Sequence, residues 1–401
     1  MKLRKITYFV NLLFAFSFLI IASCGKKEPD RSQNYTPKGV AVSYNKGTPI
    51  IEWQTDQPSF GSVLYGTSPG SYNHFSYEAE KLTTNHSLQV IDADSGITYY
   101  FVARSITDDG IIEISSEGEF RPQAHPPNNL FEWTMLDISQ GYTIGDCHYI
   151  QTPNGYRLFI DSGYEEKINT IYSFCNSLGV NHFNLALLTH FHADHYGGFL
   201  GGLFDNYDFD SLKIPITHES EYDWAYSDVI NSAQNNNIGI SYVNEGDTLN
   251  WDPSLSVIAL HAGSMNDGNE NNSSIVLKIT YGDIDFILTG DAEIPSETMI
   301  LDDFPSYQLD CEVLKVGHHG KSDATSDEWL DVITPKAALI PVDQQSSWGG
   351  NSLPSQSEID KLKGRNIDIF RSDKNNPNDD QYHHGNITVF SDGVSYEIVF
   401  N

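Results

Sequence analysis

The sequence predicts an α+β protein: a small all-β sandwich followed by a larger domain with layered α/β/β/α architecture. Three observations carry this reading. From about residue 37 to 121, short alternating apolar stretches are separated by turn residues, the pattern of a sandwich. From 130 to 401, strand-like and helix-like stretches take turns, which fits helices layered on packed sheets. Inside this second part lies Thr189-His190-Phe191-His192-Ala193-Asp194-His195, which puts three imidazoles and a carboxylate into one turn. With only 14 His in 401 residues, three within six positions beside a buried strand make chance a poor account.

The first residues read as a targeting segment. Lys2, Arg4 and Lys5 give a positive start, residues 6–21 are largely apolar, and Leu19-Ile20-Ile21-Ala22-Ser23-Cys24-Gly25 follows. The apolar stretch is short for a membrane-spanning helix and has the layout of a secretion signal. Its end resembles a bacterial lipoprotein signal. That resemblance implies removal of residues 1–23, lipid on Cys24, and attachment to a membrane surface in a bacterial cell envelope. Gly25 rather than Asp after the cysteine implies, by the same resemblance, the outer membrane. Residues 24–36 form a polar tether.

The strands of the sandwich follow in order. Val40, Val42 and Tyr44 alternate; Ile50-Ile51-Glu52-Trp53 and Ser62-Val63-Leu64-Tyr65-Gly66 are the second and third strands. Then come His86-Ser87-Leu88-Gln89-Val90, Tyr99-Tyr100-Phe101-Val102-Ala103-Arg104, and the stretches 111–114 and 118–121. Trp53 on an early strand, Tyr65-Gly66 at the end of another and Gly96-Ile97-Thr98-Tyr99-Tyr100 at a strand start resemble a fibronectin type III domain over 37–122. No site chemistry is visible there, so it reads as a spacer or packing module. The run 123–129, Gln-Ala-His-Pro-Pro-Asn-Asn, is a linker.

In the second domain, Tyr156-Arg157-Leu158-Phe159-Ile160-Asp161 reads as a strand, 165–177 as a helix, and Phe183-Asn184-Leu185-Ala186-Leu187-Leu188 as the strand feeding the histidine turn. Further strands are expected at Val257-Ile258-Ala259-Leu260, 274–280, 285–289, Glu312-Val313-Leu314-Lys315-Val316 and Ala337-Ala338-Leu339-Ile340-Pro341. Helices are expected at 295–301 and 355–363, and Asp368-Ile369-Phe370 with Gly385-Asn386-Ile387-Thr388-Val389 ends the sheets.

Composition narrows the function classes. Lys and Arg number 23 against 54 Asp and Glu, a formal charge of −31. Such a surface repels polyanions and argues against a long nucleic-acid partner, which relies on clustered Lys and Arg. Of the four Cys, Cys147, Cys175 and Cys311 remain beside Cys24; three thiols cannot all pair within one chain, and each lies in an apolar-patterned segment. Buried free thiols are expected.

The histidine turn alone supplies ligands for one divalent cation and part of another. More candidate ligands stand where other buried strands stop: His261 after Leu260, Asp291 after Phe286-Ile287-Leu288-Thr289-Gly290, and His318 and His319 after Leu314-Lys315-Val316-Gly317. A site at one edge of the sheets requires that placement. His148, His182, His218 and His383-His384 read as structural or surface residues, and Lys321 and Ser322 as either substrate contacts or a solvated loop.

His-x-His-x-Asp-His, a later His, a Gly-Asp and a Gly-His resemble the metallo-β-lactamase superfamily, and within it the hydrolase domain of the ComEC family of DNA-uptake proteins. Leu136-Asp137-Ile138-Ser139-Gln140-Gly141, Phe159-Ile160-Asp161-Ser162-Gly163, Asn271-Asn272-Ser273-Ser274-Ile275-Val276-Leu277 and Leu314-Lys315-Val316-Gly317-His318-His319-Gly320 extend the resemblance over roughly 130–395. It implies a four-layer αβ/βα sandwich and two divalent metal ions, zinc suiting a His-rich mixed site, with manganese or iron also fitting. It implies that His190, His192 and His261 bind the first ion, Asp194, His195 and His318 the second, and that Asp291 bridges them. Two ions about 3.5–4 Å apart hold a bridging hydroxide and stabilise a departing oxygen. Asp161 would orient the histidines rather than bind metal. Neighbours in extended chain point apart, so His319 is expected beside the leaving group, as proton donor or phosphate contact; with Asp194 it forms the catalytic pair.

Three departures bear on the substrate. Lys321-Ser322-Asp323 stands where the ComEC-like pattern has Ser-Lys, Leu353 replaces a His before Pro354, and Tyr142 stands where an Asp is expected, with Asp146 a substitute four residues on. The expected function is a membrane-anchored, binuclear metal-dependent hydrolase of small or short phosphodiesters. Ester, lactone or amide hydrolysis, or a non-catalytic binding lipoprotein, is the alternative. Sequence leaves the oligomeric state open.

Overall fold

The computed structural model describes residues 35–401 apart from 80, 108–109, 124–128, 140–143, 217–222, 264–267, 344–346, 349–350 and 375–383. The signal segment, Cys24, most of the tether, most of the linker, the Gln140-Gly141 turn, His218 and His383 lie outside the described residues.

The N-terminal strands are β1 (Lys38–Asn45), β2 (Thr48–Gly66), β3 (His74–Glu78), β4 (Thr83–Gln89), β5 (Tyr99–Ile106), β6 (Ile112–Ile114) and β7 (Gly118–Phe120). The two strands expected at 50–53 and 62–66 are one: β2 runs unbroken for 19 residues. Its first half pairs with β1 and β4, its second with β3 and β5, and the register shifts between Gln54 and Ser59. A long strand that bends at a register shift can belong to two ladders. Ile51, Trp53, Val63, Tyr65, Leu88 and Phe101 form the buried core of this region.

The next strands are β8 (Phe131–Met135), β9 (His148–Gln151), β10 (Arg157–Ile160), β11 (His182–Leu187), β12 (Asp208–Pro215) and β13 (Gly239–Val243). The pairs from β10 to β13 are parallel, so each needs a crossover. The connecting helices are α1 (Ile168–Leu178), α2 (Ala193–Gly198) with α3 (Phe204–Asn206), and α4 (Asp223–Asn235). A second sheet holds β14 (Leu255–His261), β15 (Val276–Tyr281), β16 (Ile284–Leu288), β17 (Val313–Lys315) and β18 (Ala337–Ile340). β19 (Ser347–Trp348) and β20 (Asn351–Ser352) pair apart, and β21 (Asp368–Arg371) completes the second sheet. Its helices are α5 (Ile294–Asp303), α6 (Asp327–Ile333) and α7 (Gln356–Gly364). Ser326 and Ser355 cap α6 and α7, each hydroxyl accepting the backbone N–H three residues on. β22 (Ile387–Ser391) and β23 (Ser395–Phe400) return to the first sheet.

Side-chain alternation builds the layers. Leu185 and Leu187 of β11 point between the sheets, toward Leu277, Phe286, Leu288 and Val313. Ala186 and Leu188 point the other way, where Ile171, Cys175, Ala225 and Val229 of α1 and α4 cover them, and Phe183 joins this cluster out of step with the alternation. On the far side Ile287, Leu314 and Ala338 meet Ile300, Trp329, Leu330 and Leu362 of α5, α6 and α7. This is the expected order of helix, sheet, sheet and helix. Cys147, Cys175 and Cys311 are free and buried, as expected.

The sequence gives no sign of how the N-terminal strands join this body. β3 pairs antiparallel with β23, from Glu78 opposite Ser395 to His74 opposite Val399. The first sheet therefore runs through both regions as one 15-stranded sheet. Leu64, Phe75, Tyr77 and Val102 share the core between the two sheets. Arg104 clamps Asp368 with both terminal nitrogens, at 3.2 and 2.5 Å, and the Tyr77 hydroxyl donates to the same carboxylate at 2.7 Å. The pairing also protects a strand edge that would otherwise be open. Among the described residues, no helix is long and apolar enough to cross a membrane.

Candidate metal centre

The histidine turn begins where β11 ends. Thr189 fixes it: its backbone N–H and hydroxyl donate to the two oxygens of Asp161, each at 2.7 Å. Asp161 follows β10 with a left-handed backbone (φ 58°), which aims its carboxylate across to the neighbouring strand. The same carboxylate meets Nδ1 of His195 at 2.7 Å. The Nδ1 proton of His195 is thereby fixed and Nε2 is turned toward Asp291, 3.3 Å from Oδ2. Asp161 thus acts on His195, the expected orienting role.

Asp291 enters from the end of β16. Gly290 before it has φ 51°, and a side chain there would press within 3.0 Å of Thr189 Cβ. That close approach brings Asp291 onto the histidine turn, where its N–H donates to Ser274 Oγ at 3.1 Å. From the end of β17 comes the third contribution. Val316 to Lys321 make one tight turn in which His318 (φ 45°) and His319 (φ 53°) both adopt left-handed conformations. Two consecutive non-glycine residues in that region are costly, of order 1–3 kcal/mol each, and mark a functional turn.

In the structure His319 is the ring nearer to Asp291 and Asp194, and His318 lies further out. His319, fully buried, brings Nε2 to 3.4 Å from Asp291 Oδ2 and 3.6 Å from Asp194 Oδ2. Asp194, His195, Asp291 and His319 each offer one ligand atom within 4.8 Å of the others. His318 stands further off, 3.9 Å from Asp291 Oδ2, with Nδ1 held 3.1 Å from Glu293 Oε1 and 3.2 Å from Asp323 Oδ1. The argument that neighbours point apart holds for extended chain. Here the αL turn decides which ring goes inward.

His190 and His192 are brought together, Nε2 to Nδ1 at 2.9 Å, and the His190 and His195 rings lie 4.1 Å apart. His261, buried at the end of β14, hydrogen-bonds through Nε2 to the Asn272 carbonyl at 2.9 Å. Among the described residues, no group converges His190, His192 and His261 as closely as the Asp194 group. The Nε2 of His261 is engaged by the Asn272 turn, and its Nδ1 is buried without a hydrogen-bond partner. Cys24 lies outside the described residues.

Two residues that the sequence reading left out support the cluster. Lys315, a fully buried cation in an apolar strand, reaches Asp146 Oδ2 at 2.5 Å, the Gly290 carbonyl at 2.6 Å and Asp291 Oδ1 at 3.5 Å. A lysine inside Val313-Leu314-Lys315-Val316 was the available signal, since an unpaired buried lysine is rare. His148, given no role, lies 3.6 Å from Asp146 Oδ2 and accepts from Trp133 Nε1 at 3.3 Å. Asp146 does take the place suggested for it, 3.5 Å from His319 Nδ1. His384, expected to be a surface residue, bridges Asp137 at 3.1 Å and Asp343 at 3.3 Å.

Charge balance in this dry site favours cations. Burial alone would raise Asp291, but His319, His195 and His318 hold it well below the usual carboxylate range. Burial would lower His319, yet Asp291 and Asp146 raise it to about 9. His195 is raised well above the usual imidazole value against burial by Asp291, Asp161 and Asp194. Burial and the neighbouring His195 and His192 push His190 well below it, leaving that ring neutral.

The residues fit divalent ions. Nε2 of His195 and of His319 are buried without a hydrogen-bond partner, as is Asp291 Oδ1. The His195–Asp291, His319–Asp291 and His319–Asp194 separations of 3.3–3.6 Å are those of tetrahedron corners about an ion with ligands roughly 2.0–2.2 Å away, and His195 to Asp194 is wider, at 4.0 Å.

A family model described as the metallo-beta-lactamase superfamily matches residues 141–343, just over half of the chain. ComE operon protein 3 of Bacillus subtilis (strain 168) is 29% identical over 261 residues, covering 61% of this chain and 32% of that protein. Competence protein ComA of Neisseria gonorrhoeae is 24% identical over 264 residues, covering 63% and 32%. The chain thus spans about a third of the length of these relatives. Among solved structures, CmlA, a diiron beta-hydroxylase from Streptomyces venezuelae, aligns with a TM-score of 0.42 at 10% identity, covering 79% of this chain and 75% of that one. On its family match, the chain belongs to the metallo-beta-lactamase superfamily.

Proposed function

We propose that the chain is a binuclear metal-dependent hydrolase that cleaves small phosphodiesters at the cell envelope, held to the membrane by lipid on Cys24. The observation that carries this reading is the buried Asp194–His195–Asp291–His319 group, in which Nε2 of His195 and Nε2 of His319 lack hydrogen-bond partners.

Asp194, His195 and His319 would hold one ion, His190 and His192 another, with Asp291 between them. The ions would supply a nucleophile from water at neutral pH and stabilise charge on the reacting oxygens. The chain's own groups do the rest. Asp161 keeps the Nδ1 proton of His195 in place, so Nε2 stays available as a ligand. Lys315 neutralises part of the carboxylate charge from beneath, through Asp146 and Asp291. His318 lines the cavity above the cluster. Burial would lower it, but Asp291, Asp323 and Glu293 raise it above the usual imidazole value. From that place it would give a proton to a leaving alkoxide, which favours ester cleavage with a poor leaving group.

The test is turnover of a chromogenic bis-aryl phosphodiester, an aryl carboxylic ester and a cephalosporin by the metal-loaded chain. The phosphodiester should be the preferred substrate; turnover of only the ester or the cephalosporin refutes the proposal. Membrane attachment is tested separately. Cys24→Ser should move the protein from the membrane to the soluble fraction, and an unchanged distribution would refute lipid anchoring.

A further inference from the structure

A cavity of about 290 Å³ opens over the cluster. Its polar wall is made by His192, Asp194, Asn271, Asp291 and His318, and its other walls by Ile144, Tyr164, Phe191, Tyr196 and Trp224. Among the described residues, no Lys or Arg lines it. Phe191 and Tyr196 are buried and part of the core, and Tyr226 and Trp224 lean on them at 5.4 and 6.4 Å. Trp224, in the first turn of α4, is different: it is 60% exposed although it stands edge-on to Tyr196, at 81°. Tyr164, half-buried, also lines the cavity. A large exposed indole at the rim of a concave polar site is where a flat ligand gains most from stacking.

We infer that this cavity selects an ester whose retained side carries one flat aromatic ring, stacked on Trp224 and Tyr164, and that it turns away polyanions. The identification of the bond as a phosphodiester rests on the function proposed above; the aromatic clamp rests on the cavity walls. A polyanion would need several cationic contacts, and the walls offer carboxylates and rings instead. The volume lies at the small end of ligand cavities, about 300–1,000 Å³, enough for one ring-bearing ester and too little for a stretch of polymer. With a formal charge of −31, the protein surface adds to the repulsion of long phosphate chains.

Two substrates with the same leaving group separate the clamp from the chemistry: the p-nitrophenyl ester of thymidine 5′-monophosphate, and methyl p-nitrophenyl phosphate. The metal-loaded chain should favour the nucleoside ester in kcat/KM by about tenfold or more, the range expected for one stacked ring. Trp224→Ala should bring that ratio toward one through KM, and Trp224→Phe should restore most of it. Equal kcat/KM for the two esters in the unmodified chain, or a ratio unmoved by Trp224→Ala, overturns the clamp. If neither ester is hydrolysed, the phosphodiester reading fails and the clamp is decided by binding. Thymidine 5′-monophosphate should quench tryptophan fluorescence of the chain but not of Trp224→Phe, and methyl phosphate should quench neither. Absence of quenching in the unmodified chain overturns the inference.

Discussion

Lys315→Met removes the one permanent cation beneath the cluster while keeping an unbranched apolar stem in the same space. In the structure Lys315 Nζ compensates Asp146 at 2.5 Å, and Asp146 is completely buried. Its carboxyl is held far down by Lys315, His319 and His148, against burial. Without Lys315, Asp146 either stays charged with only His319 and His148 beside it, at a cost of up to about 3–5 kcal/mol, or takes up a proton. The second route sets a ceiling. Protonating an ordinary carboxyl of pKa about 3.9 costs about 4 kcal/mol at pH 7 and about 1.5 kcal/mol at pH 5, at about 1.36 kcal/mol per unit. Urea unfolding of metal-free protein should therefore show Lys315→Met destabilised by about 3–4 kcal/mol at pH 7 and by less than half of that at pH 5. Adding Asp146→Asn should recover much of the loss at pH 7, because the orphaned charge is gone. A single variant within about 0.5 kcal/mol of the parent, the range of ordinary surface changes, or a loss that does not shrink between pH 7 and 5, refutes the reasoning.

Asp161→Asn should weaken metal affinity by about 10–100-fold in a chelator competition, since it loosens the ring of His195 while leaving every ligand in place; unchanged affinity would remove Asp161 from the account. Glu397 is buried where β23 meets the N-terminal strands, contacts the Tyr65 hydroxyl, and accepts the N–H groups of Ile91 and Asp92, each at 3.2 Å. Burial raises it to about 8. A raised carboxyl contributes stability that is present below its unfolded value and lost as pH rises through the folded value. Relative to the parent, Glu397→Gln should therefore gain stability from about pH 5 to 8, by up to about 1.4 kcal/mol per unit, in paired urea titrations. His74, 3.4 Å from Glu397 Oε1 and lowered by burial to about 4, has the opposite trend between about pH 4 and 6.5, so the two profiles are compared above that range. Parallel pH profiles would contradict a neutral Glu397.

The strand ends were the legible part of this molecule. Apolar runs ending in His, Asp or Gly-Asp located the turn at 189–195, Asp291 and the His318-His319 pair, because a strand that stops at a sheet edge leaves its last polar residues facing a common rim. Alternation in β11 fixed which side chains face the sheets and which face the helices. Two kinds of information were not legible. Backbone conformation at His318 and His319 overrode the rule for extended chain, and no residue type announces two successive left-handed positions. Long-range pairing was the other: neither β3 nor β23 was expected as a strand, and a two-residue period does not name a partner more than 300 residues away. Lys315 was visible as a charge in an apolar strand. Its counter-charges, Asp146 and Asp291, come from separate segments that only the fold brings together.

The ligand set is the central claim, and metal content of the purified chain and two variants tests it most directly. Two ions per chain are expected in the parent protein. His319→Ala should hold about one. His318→Ala should keep two while turnover falls by about 10²–10⁴-fold, the loss expected for a missing proton donor. A parent chain without bound ions, or ions lost on removing His318 but retained without His319, would contradict the account.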